Sequence, residues 1–584
     1  MRRAFVAVVT ESRATREAFL ARLPGRRNPG ADAFTVDEIG SLLIATCGLR
    51  RIRALNDDAL VLGRVATKRG GPVTEILDAI REKGSTAIPQ RFVESCWGGY
   101  VAFLASVDGQ VDIWRAPLGD LPCYCRRVGD AFFVSSSPRL LAACAGRPLS
   151  VDRDALVRHL AFAHLRFSQT CLESLEELPG GQCMTVATGS ARCSTLWSPW
   201  SWTQRDQLIF DHDEAAASLL ATARGCVAAC AEPGKKILLK LSGGLDSSIV
   251  AACLAHEGRP FRALTLVTDD PSGDERSYAR MVAGHLGVAL IERRRDPTHV
   301  DLSRSPARDL ARPSIPLFRQ ESERIACGEA DRAGLSLLMD GGGGDNVFCS
   351  LQSASPVADC LLIHEGRRHV HRTISSLAEI AHVNMAEVLR AGVRRAFRRS
   401  HDYRWPLERS YLSPAALATL AALPGHPWLR APRKTLPGRA AHVALLAAGQ
   451  SYVEGLDPEA RMPLVAPLLA QPLVELCLRI PSWLWFDQGL SRAIARTAFA
   501  VDLPAAIVRR RSKGSPDAFV AQLFERHASR IRDDLIDGEM AAMGLLDRAA
   551  LIRALDGDAP MHEGELQRIM TLYDAELWCQ AWAG

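Results

Sequence analysis

The sequence lacks long apolar runs and a strong charge imbalance, and each absence excludes a class of protein. No apolar run approaches the ~18 residues that a membrane-spanning helix needs. The N-terminal stretch MRRAFVAVVTESR has two arginines but only a short apolar run, which does not fit a secretory signal. The net charge of +5 is too small to indicate nucleic-acid binding by itself. We therefore expect a cytoplasmic protein that binds neither membranes nor nucleic acid.

The 16 cysteines are scattered, and no group of them has the spacing of a structural metal site. The closest pair, Cys123 and Cys125, has the spacing CxC, which is not that of a zinc site. Without a secretory signal, scattered cysteines indicate buried thiols in a reducing compartment. Internal repeats and long low-complexity segments are also missing. With 584 residues the chain is too long for one domain, and we expect two or three.

The first part of the chain, residues 1–205, is predicted to be a mostly β domain. Short apolar runs punctuated by Gly, Pro and Asp predict strands. These runs are AFVAVV (4–9), SLLIATC (41–47), YVAFLASV (100–107), QVDIWRA (110–116) and AFFVSSS (131–137). A helix is predicted over 153–165, and the stretch SPWSWTQRDQ (198–207) has no clean periodicity and is interpreted as a linker.

The pattern changes at Asp211, and residues 206–584 are predicted to form a second, α/β domain. An acidic start predicts a helix over 211–230, because acidic residues suit a helix N-terminus. Strands and helices then alternate, which predicts a parallel sheet covered by helices. The predicted strands are 236–241, 262–268, 288–294 and 335–340, and the helices are 247–257, 274–286 and 319–334. Residues 350–584 are predicted to be mainly helical, with loops at 396–412 and 424–440.

Two glycine-rich loops end strands of this predicted sheet, SGGLDSS (242–248) and DGGGGDN (340–346). Both are expected at the carboxyl edge, where open α/β sheets bind ligands. Ser242, Gly243 and Gly244 leave backbone N–H groups unobstructed, and Ser247 and Ser248 add hydroxyl groups at a helix N-terminus. Together they predict an anion cradle suited to a pyrophosphate.

Each loop also carries one carboxylate, Asp246 and Asp345. A carboxylate inside a phosphate loop is repulsive unless a cation lies between the two. Mg²⁺ binds one or two carboxylates together with phosphate oxygens. The sequence therefore predicts a magnesium site formed by Asp246 and Asp345.

SGGLDSS resembles the pyrophosphate-binding signature of the PP-loop ATP pyrophosphatases, and the rest of the chain resembles their asparagine synthetase group. The segments that carry the resemblance are WGGYVAFLASVDG, RAPLGDLPCYC (115–125), LEELPGGQ (175–182), DGGGGDN, RMPLVAPLL (461–469), LSRAIARTAF (490–499) and RRRSKGSPD (509–517). The resemblance implies an N-terminal glutaminase-like (Ntn-type) αββα sandwich. It also implies a C-terminal PP-loop synthetase domain with a parallel sheet and a helical extension.

The sequence departs from glutamine-dependent members of that family at two points. Those enzymes need a nucleophilic Cys directly after the initiator Met, whereas here Arg2 and Arg3 follow Met1 and Cys47 is the first cysteine. The family's Arg-Asp pair is also broken, because Ala116 follows Arg115. We therefore expect residues 1–205 to keep the fold without glutaminase chemistry.

Relatives without glutaminase chemistry include β-lactam synthetases and the isopeptide-bond-forming cyclases of lasso peptides. β-Lactam synthetases place a Tyr in the second loop where this chain has Gly342, which argues against a Tyr-based deprotonation. Four consecutive glycines are also interpreted as opening space for a bulky peptide, and DGGGGDN resembles the lasso-cyclase form of the loop.

The resemblance thus implies an ATP-dependent lasso peptide macrocyclase. Such an enzyme adenylates an Asp or Glu side chain of a precursor peptide and closes a macrolactam with the N-terminal amine. A β-lactam-synthetase-like or ammonia-using enzyme is the alternative, and a catalytically dead scaffold is a third.

Further site residues and partners follow from the resemblance alone. Lys513 matches the family lysine that neutralises charge on the phosphate and the tetrahedral intermediate. Leu241, Leu266, Asp340 and Gly341 match positions that line the adenine and ribose of ATP. A leader-peptide-binding protein and a leader peptidase are the partners that the resemblance implies.

Overall fold

The computed structural model describes most of the chain. The described residues are 3–24, 33–54, 56–82, 87–106, 108–187, 190–268, 270–271, 273–398, 403–422, 425–511, 514, 517–557 and 561–583. Of the site residues inferred from the sequence, Lys513 lies outside these ranges, as do Met1 and Arg2.

Twelve strands before residue 196 form two six-stranded antiparallel sheets. In chain order they are β1 (Ala4–Val9), β2 (Thr35–Ile39), β3 (Leu42–Cys47), β4 (Arg51–Arg53), β5 (Ala59–Thr67), β6 (Cys96–Ala105), β7 (Val111–Arg115), β8 (Tyr124–Val128), β9 (Ala131–Ser135), β10 (Glu176–Glu177), β11 (Gln182–Ala187) and β12 (Ser190–Thr195). The sheet orders are β10-β8-β9-β1-β3-β2 and β12-β11-β7-β6-β5-β4. All five predicted strands in this region are therefore confirmed.

The two sheets pack face to face because their strands alternate apolar side chains between two cores. In β1, Phe5 and Val9 point into the core between the sheets, whereas Val6 and Val8 point into the core outside it. The first sheet presents its outer face to α1 (Arg13–Arg22), α4 (Pro138–Ala145) and α5 (Arg153–Ala161). The second sheet packs against α2 (Val73–Glu82) and α3 (Ile88–Ser95). The predicted αββα sandwich is confirmed.

A second sheet system is parallel and has five strands in the order β15-β14-β13-β16-β17. Its strands are β13 (Ile237–Lys240), β14 (Phe261–Val267), β15 (Leu290–Arg294), β16 (Leu337–Met339) and β17 (Leu464–Val465), and β18 (Phe486–Asp487) pairs with β19 (Leu490–Ser491) separately. Alternation again gives two faces, because Ile237 and Leu239 belong to one core and Leu238 to another. The predicted parallel sheet is confirmed, and β17 is a fifth strand that the sequence did not reveal.

Helices cover this sheet and form the rest of the chain, as predicted. In chain order they are α6 (His212–Cys230), α7 (Leu245–His256), α8 (Arg276–Leu286), α9 (Arg319–Ala333), α10 (Gly344–Val347), α11 (Ser355–Leu362), α12 (Val370–Ala381), α13 (Met385–Phe397), α14 (Pro414–Ala418), α15 (Pro437–Glu454), α16 (Gln471–Arg479), α17 (Ala493–Ala498), α18 (Ala505–Val508), α19 (Asp517–Asp537), α20 (Glu539–Ala542), α21 (Arg548–Leu555) and α22 (Glu563–Trp582). Within the described helices, no stretch has both the length and the apolar character that crossing a bilayer requires.

Two element predictions are corrected by the structure. The helix expected over 153–165 ends at Ala161, and the following His164 has a positive φ of 65° that no helix interior adopts. The stretch 198–207 is not a free linker, because it forms two 3₁₀ turns and buries Trp200 in the core that the two halves share. The boundary predicted between residues 205 and 206 stays a prediction.

Candidate active site

A cleft of about 400 Å³ lies at the carboxyl edge of the parallel sheet. It is there because β13 and β16 both end at this edge, and each continues into one of the glycine-rich loops. The residues in its wall that the sequence analysis named are Leu241, Ser242, Gly244, Asp246, Ser247, Leu266, Asp340 and Gly341. Two distant sequence motifs therefore form one site, as expected.

The serine hydroxyl groups of the first loop bind backbone groups of the same loop. Ser247 Oγ accepts from the backbone N–H of Ser242 (3.3 Å), and Ser242 Oγ accepts from the backbone N–H of Gly244 (3.2 Å). Ser248 is fully buried and donates to the carbonyl of Gly244 (2.8 Å), so it supports the loop instead of lining the cleft. The loop leads directly into α7, whose N-terminus favours an anion. This geometry fits a phosphate group.

Gly243 lies behind the cleft wall and lets the loop pass close to α8. Its φ of +73° is in the left-handed region, and a Cβ there would lie 2.5 Å from the backbone carbon of Tyr278. A side chain is therefore excluded both by conformation and by space.

The four glycines of the second loop do not open space, which corrects the sequence interpretation. A Cβ at Gly341 would lie 2.4 Å from the backbone nitrogen of Ser247, and one at Gly344 would lie 2.4 Å from Asp246 Cγ. These two glycines allow the loops to touch. A Cβ at Gly342 would lie 2.4 Å from the ring of Tyr452. The place of a side chain at Gly342 is thus filled from α15.

Tyr452 of α15 places a phenol behind the cleft wall, against Asp340 and Gly342, and the sequence analysis did not expect it. Its hydroxyl donates to Asp340 Oδ2 (2.6 Å), while Asp340 Oδ1 accepts from the backbone N–H of Gly342 (2.9 Å). Burial and the neighbouring carboxylate raise the pKa of Tyr452 well above its ordinary value. The phenol therefore keeps its proton near neutral pH. It donates a hydrogen bond that fixes Asp340, and it does not act as a base.

The two carboxylates of the predicted metal site meet at one cation, Arg492. Its Nη1 lies 3.0 Å from Asp246 Oδ2 and 2.7 Å from Asp345 Oδ1. Asp246 and Asp345 are therefore close enough to share a cation, which is the arrangement that Mg²⁺ with phosphate oxygens requires. The donor set fits the metal, although no third His, Cys, Asp or Glu joins the pair within the described ranges.

Among the described residues, five cationic side chains line the cleft, and the sequence analysis had assigned a role to none of them. They are Lys240, Arg295, Arg492, Arg496 and Arg510. Burial and the nearby Arg492 lower the pKa of Arg496 to about 10. Arg492 Nε and Arg510 Nη1 are buried without a hydrogen-bond partner in the described part of the chain. Free donors and excess positive charge both favour a polyanion such as a nucleoside triphosphate.

Lys513 lies outside the described residues, but its neighbour Gly514 lines the cleft. The backbone N–H of Gly514 donates to Glu275 Oε1 (3.1 Å), which also accepts from Arg510 Nη2 (2.7 Å). Glu275 thereby connects Arg510 and Gly514 to the start of α8. The segment RRRSKGSPD signalled this place, but nothing in the sequence identified Glu275 as its anchor.

The sequence of this chain matches the asparagine synthase family over residues 219–583, which is more than half of the chain. It is also 32% identical over 117 residues to the carboxyethyl-arginine β-lactam-synthase of Streptomyces clavuligerus, covering 20% of this chain and 22% of the relative. The chain thus spans about a fifth of the length of this curated relative.

Two solved structures share a weak likeness with the fold. One is a glutamine phosphoribosylpyrophosphate amidotransferase from B. subtilis complexed with ADP and GMP, with a TM-score of 0.23, 10% identity, and coverage of 50% of this chain and 81% of that chain. The other is an allosteric regulatory enzyme of purine biosynthesis, with a TM-score of 0.22, 10% identity, and coverage of 50% and 80%. Likeness at this level supports no statement about function.

Proposed function

This chain belongs to the asparagine synthase family, and from that premise we propose that it is an ATP-dependent ligase that forms amide bonds. The observation that carries the proposal is the meeting of the two glycine-rich loops in one cationic cleft, with Asp246 and Asp345 at a shared cation. A carboxylate is a poor electrophile, so ATP is needed to activate it.

The proposed reaction has two steps. An oxygen of the substrate carboxylate attacks the α-phosphorus of ATP, and the bond to pyrophosphate breaks, which leaves an acyl-adenylate. An amine nitrogen then attacks the acyl carbon, and the bond to AMP breaks with loss of one proton from the amine. The cleft must exclude water, because water would hydrolyse the adenylate.

Different residues of the chain have different roles in the first step. The N–H groups of Ser242 and Gly244 donate to hydroxyl groups within the loop, so the phosphates bind at the other backbone N–H groups of the loop and at the N-terminus of α7. The arginines stabilise negative charge that develops on the phosphates. Asp246 and Asp345 would hold Mg²⁺, which would offset phosphate charge. Lys513 serves the α-phosphate and the second step, as the family resemblance implies.

The proposed substrate is a precursor peptide whose Asp or Glu side chain is joined to its own N-terminal amine as a macrolactam. The form of the loop DGGGGDN supports this, because it resembles the loop of lasso peptide cyclases. Holding both reacting ends of one peptide together supplies much of the rate for ring closure. A leader-peptide-binding protein and a leader peptidase are the proposed partners.

A β-lactam-synthetase-like reaction is the second candidate, and two observations favour it. One is the 32% identity over 117 residues to a β-lactam-synthase. The other is Tyr452, which places a phenol beside Gly342 although the loop itself has no Tyr. The substrate would then be a small amino acid with an internal amine.

ATP–pyrophosphate exchange with different carboxylates separates these candidates. The substrates are a precursor peptide with Gly at core position one and an Asp or Glu several residues on, a carboxyethyl amino acid, and aspartate with ammonia. We expect exchange with the peptide, together with a product lighter by one water. Exchange with the carboxyethyl amino acid alone would support the second candidate. Exchange with none of them would point to a scaffold.

Asp246→Asn tests the metal assignment within the same assay. The variant removes a charge that Mg²⁺ binding needs, so exchange should fall by at least ~100-fold. Asp213→Asn, an exposed acidic residue in α6, is the matched control and should exchange like the unaltered protein. Unaltered exchange in Asp246→Asn at all Mg²⁺ concentrations would refute the assignment.

A further inference from the structure

A second cleft of about 490 Å³ adjoins the first beyond α9. Leu338 and Leu464 from the parallel sheet form its apolar floor. Charged side chains of both signs line it, with Glu323 and Asp457 among the carboxylates and Arg308, Arg319 and Arg461 among the cations. Burial raises the pKa of Asp457 to about 6. Cavities of this size that combine an apolar floor with perturbed titratable groups are the usual form of a ligand site. The proposed adenylation step makes no use of this cleft.

Lys240 belongs to the walls of both clefts. It is the last residue of β13, and Leu241 and the phosphate loop follow it directly. Because side chains alternate along a strand, Lys240 points to the α9 face while Leu239 points to the opposite face. The described linings of the two clefts have Lys240 in common.

Four charged residues surround Lys240. Arg319 and Glu323 come from α9, Asp340 follows β16, and Arg295 follows β15. Burial and then Arg319 lower the pKa of Lys240 to about 8, although Asp340 and Glu323 oppose the shift. The pKa of a peptide's α-amino group is also about 8. Proton transfer between two amines with matched pKa values has no large energetic penalty.

We propose that the second cleft binds the acceptor amine of the substrate and that Lys240 takes up the proton which that amine loses. This inference rests on the proposed amide-forming function and extends it to the second step. The ammonium group docks against Glu323 and Asp457, and as it approaches the acyl-adenylate it passes one proton to the neutral amine of Lys240, which becomes an ammonium ion. Its nitrogen then attacks the acyl carbon, the C–O bond to AMP breaks, and AMP leaves with the electron pair. The phosphate of AMP takes up the second proton, which the nitrogen loses as the amide forms.

Lys240→Met tests the role of the side chain with two readouts, using the precursor peptide as substrate. Loss of a proton acceptor lowers a reaction rate by about 10²–10⁴-fold, so the rate of ring closure should fall by at least ~100-fold. ATP–pyrophosphate exchange should fall by less than ~10-fold, and added hydroxylamine should trap the stranded adenylate as a hydroxamate. Lys240→Arg keeps the charge but accepts no proton, so it should fail to restore ring closure.

Lys235→Met is the matched control, because Lys235 is an exposed lysine just before the same strand. It should leave both readouts at the level of the unaltered protein. Equal losses of exchange and ring closure in Lys240→Met would overturn the proposal and make Lys240 a phosphate-binding residue.

Cys327 offers an independent test of the cleft, since this half-buried thiol on α9 lines it. Cys327→Trp narrows the cleft, whereas Cys327→Ser preserves its volume. We expect Cys327→Trp to lower ring closure at least ~10-fold more than exchange, and Cys327→Ser to lower ring closure far less than Cys327→Trp does. Unchanged ring closure in Cys327→Trp would exclude this cleft as the amine site.

Failure of the proposed function has a different signature from failure of this inference. If the unaltered protein shows no exchange with any carboxylate, the amide-forming function itself is wrong. If the unaltered protein exchanges and closes the ring, and Lys240→Met does so too, only the role of Lys240 is wrong.

Discussion

Single glycines decide how closely the loops SGGLDSS and DGGGGDN approach each other. Gly341 lies against the backbone of Ser247, and Gly344 lies against the carboxylate of Asp246. Any Cβ at these positions would push the loops apart and separate Asp246 from Asp345. The glycines of DGGGGDN therefore serve close backbone approach, not substrate volume.

Gly243→Ala should lower ATP–pyrophosphate exchange by at least ~10-fold. The left-handed backbone costs a residue with a Cβ about 1–2 kcal/mol, and the Cβ also collides with Tyr278 at 2.5 Å. Gly258→Ala is the control, because Gly258 has a similar φ of +61° with open space around it. It should cost about 1 kcal/mol of stability and leave exchange intact. Similar exchange in the two variants would contradict the role given to Gly243.

Arg115 shows how one residue supports the prediction that the N-terminal part lacks glutaminase chemistry. Its guanidinium is fully buried and donates to the carbonyls of Leu121 and Gly119 and to Glu177 Oε1. All three nitrogens thus bind acceptors inside the protein. The arginine of the broken Arg-Asp pair is a structural residue here.

At the scale of elements, the beginning of α8 positions Arg510 and Gly514. Glu275 is the N-cap residue of α8, and its carboxylate binds both Arg510 and the backbone of Gly514. Arg510 also stacks over the ring of Tyr278, 3.8 Å from its centroid. The positions of Arg510 and Gly514 are therefore set by contacts that are distant in sequence.

Glu275→Ala should lower exchange by about 10- to 100-fold, since small displacements of a catalytic group have effects of this size. Glu275→Gln retains an oxygen that accepts from Gly514, so its loss should be several times smaller. Both variants are to be compared by exchange rate at saturating ATP. Equal activity in Glu275→Ala and the unaltered protein would show that Arg510 and Gly514 are positioned by other contacts.

The C-terminal helix α22 carries a carboxyl group whose ionisation opposes folding. Asp574 accepts from the backbone N–H of Leu317 (2.7 Å), and burial raises its pKa to about 8. The unfolded chain releases this proton near pH 4, whereas the folded protein keeps it until about pH 8. The folded state thus binds more protons in this window, and stability falls as pH rises through it.

Asp574→Asn should remove that pH dependence, because the amide is neutral throughout and its oxygen still accepts from Leu317. Between pH 5 and pH 8, the free energy of unfolding should decrease by up to about 4 kcal/mol more in the unaltered protein than in the variant. Denaturant unfolding of both proteins at each pH measures this difference. Parallel pH profiles would contradict the raised pKa.

At the scale of the whole molecule, continuous cores join the β sandwich to the parallel-sheet region. One core runs from β4–β6 to the parallel sheet and α15, and a second runs from β1 and α4 to α19 and α22. A buried charge cluster lies between the two regions. It consists of Arg115, Arg166, Glu177, Arg312 and Glu454. The sandwich therefore supports α15, the helix that places Tyr452 against Asp340 and Gly342.

Glu177→Ala should destabilise the protein by about 3–5 kcal/mol, because it leaves buried arginines without their main counter-ion. Those arginines hold the pKa of Glu177 at about 2 despite its burial. Glu176→Ala, the exposed neighbour in β10, is the control and should change stability by less than about 0.5 kcal/mol. Denaturant unfolding of the two variants tests this, and equal stabilities would contradict a structural role for the cluster.

The sequence by itself determined the elements and the place of the two glycine-rich loops. Strand alternation and helix periodicity are local patterns, so the strands near Ala4–Val9 and Ile237–Lys240 could be predicted closely. Because parallel strands end at one edge, Asp246 and Asp345 were expected near each other, and both contact Arg492 in the structure. Anion binding by SGGLDSS and metal binding by the two carboxylates stay predictions.

Only the tertiary structure decided what surrounds that loop. Arg492 and Glu275 line the cleft from segments that carry no periodic signal for it, and Tyr452 contacts Asp340 in its wall. Lys240 belongs also to a second cleft, which α9 helps to form. The meaning of the four glycines also changed, because free volume depends on neighbours that are distant in sequence. Chain order specifies which groups are available, and long-range packing specifies which of them meet.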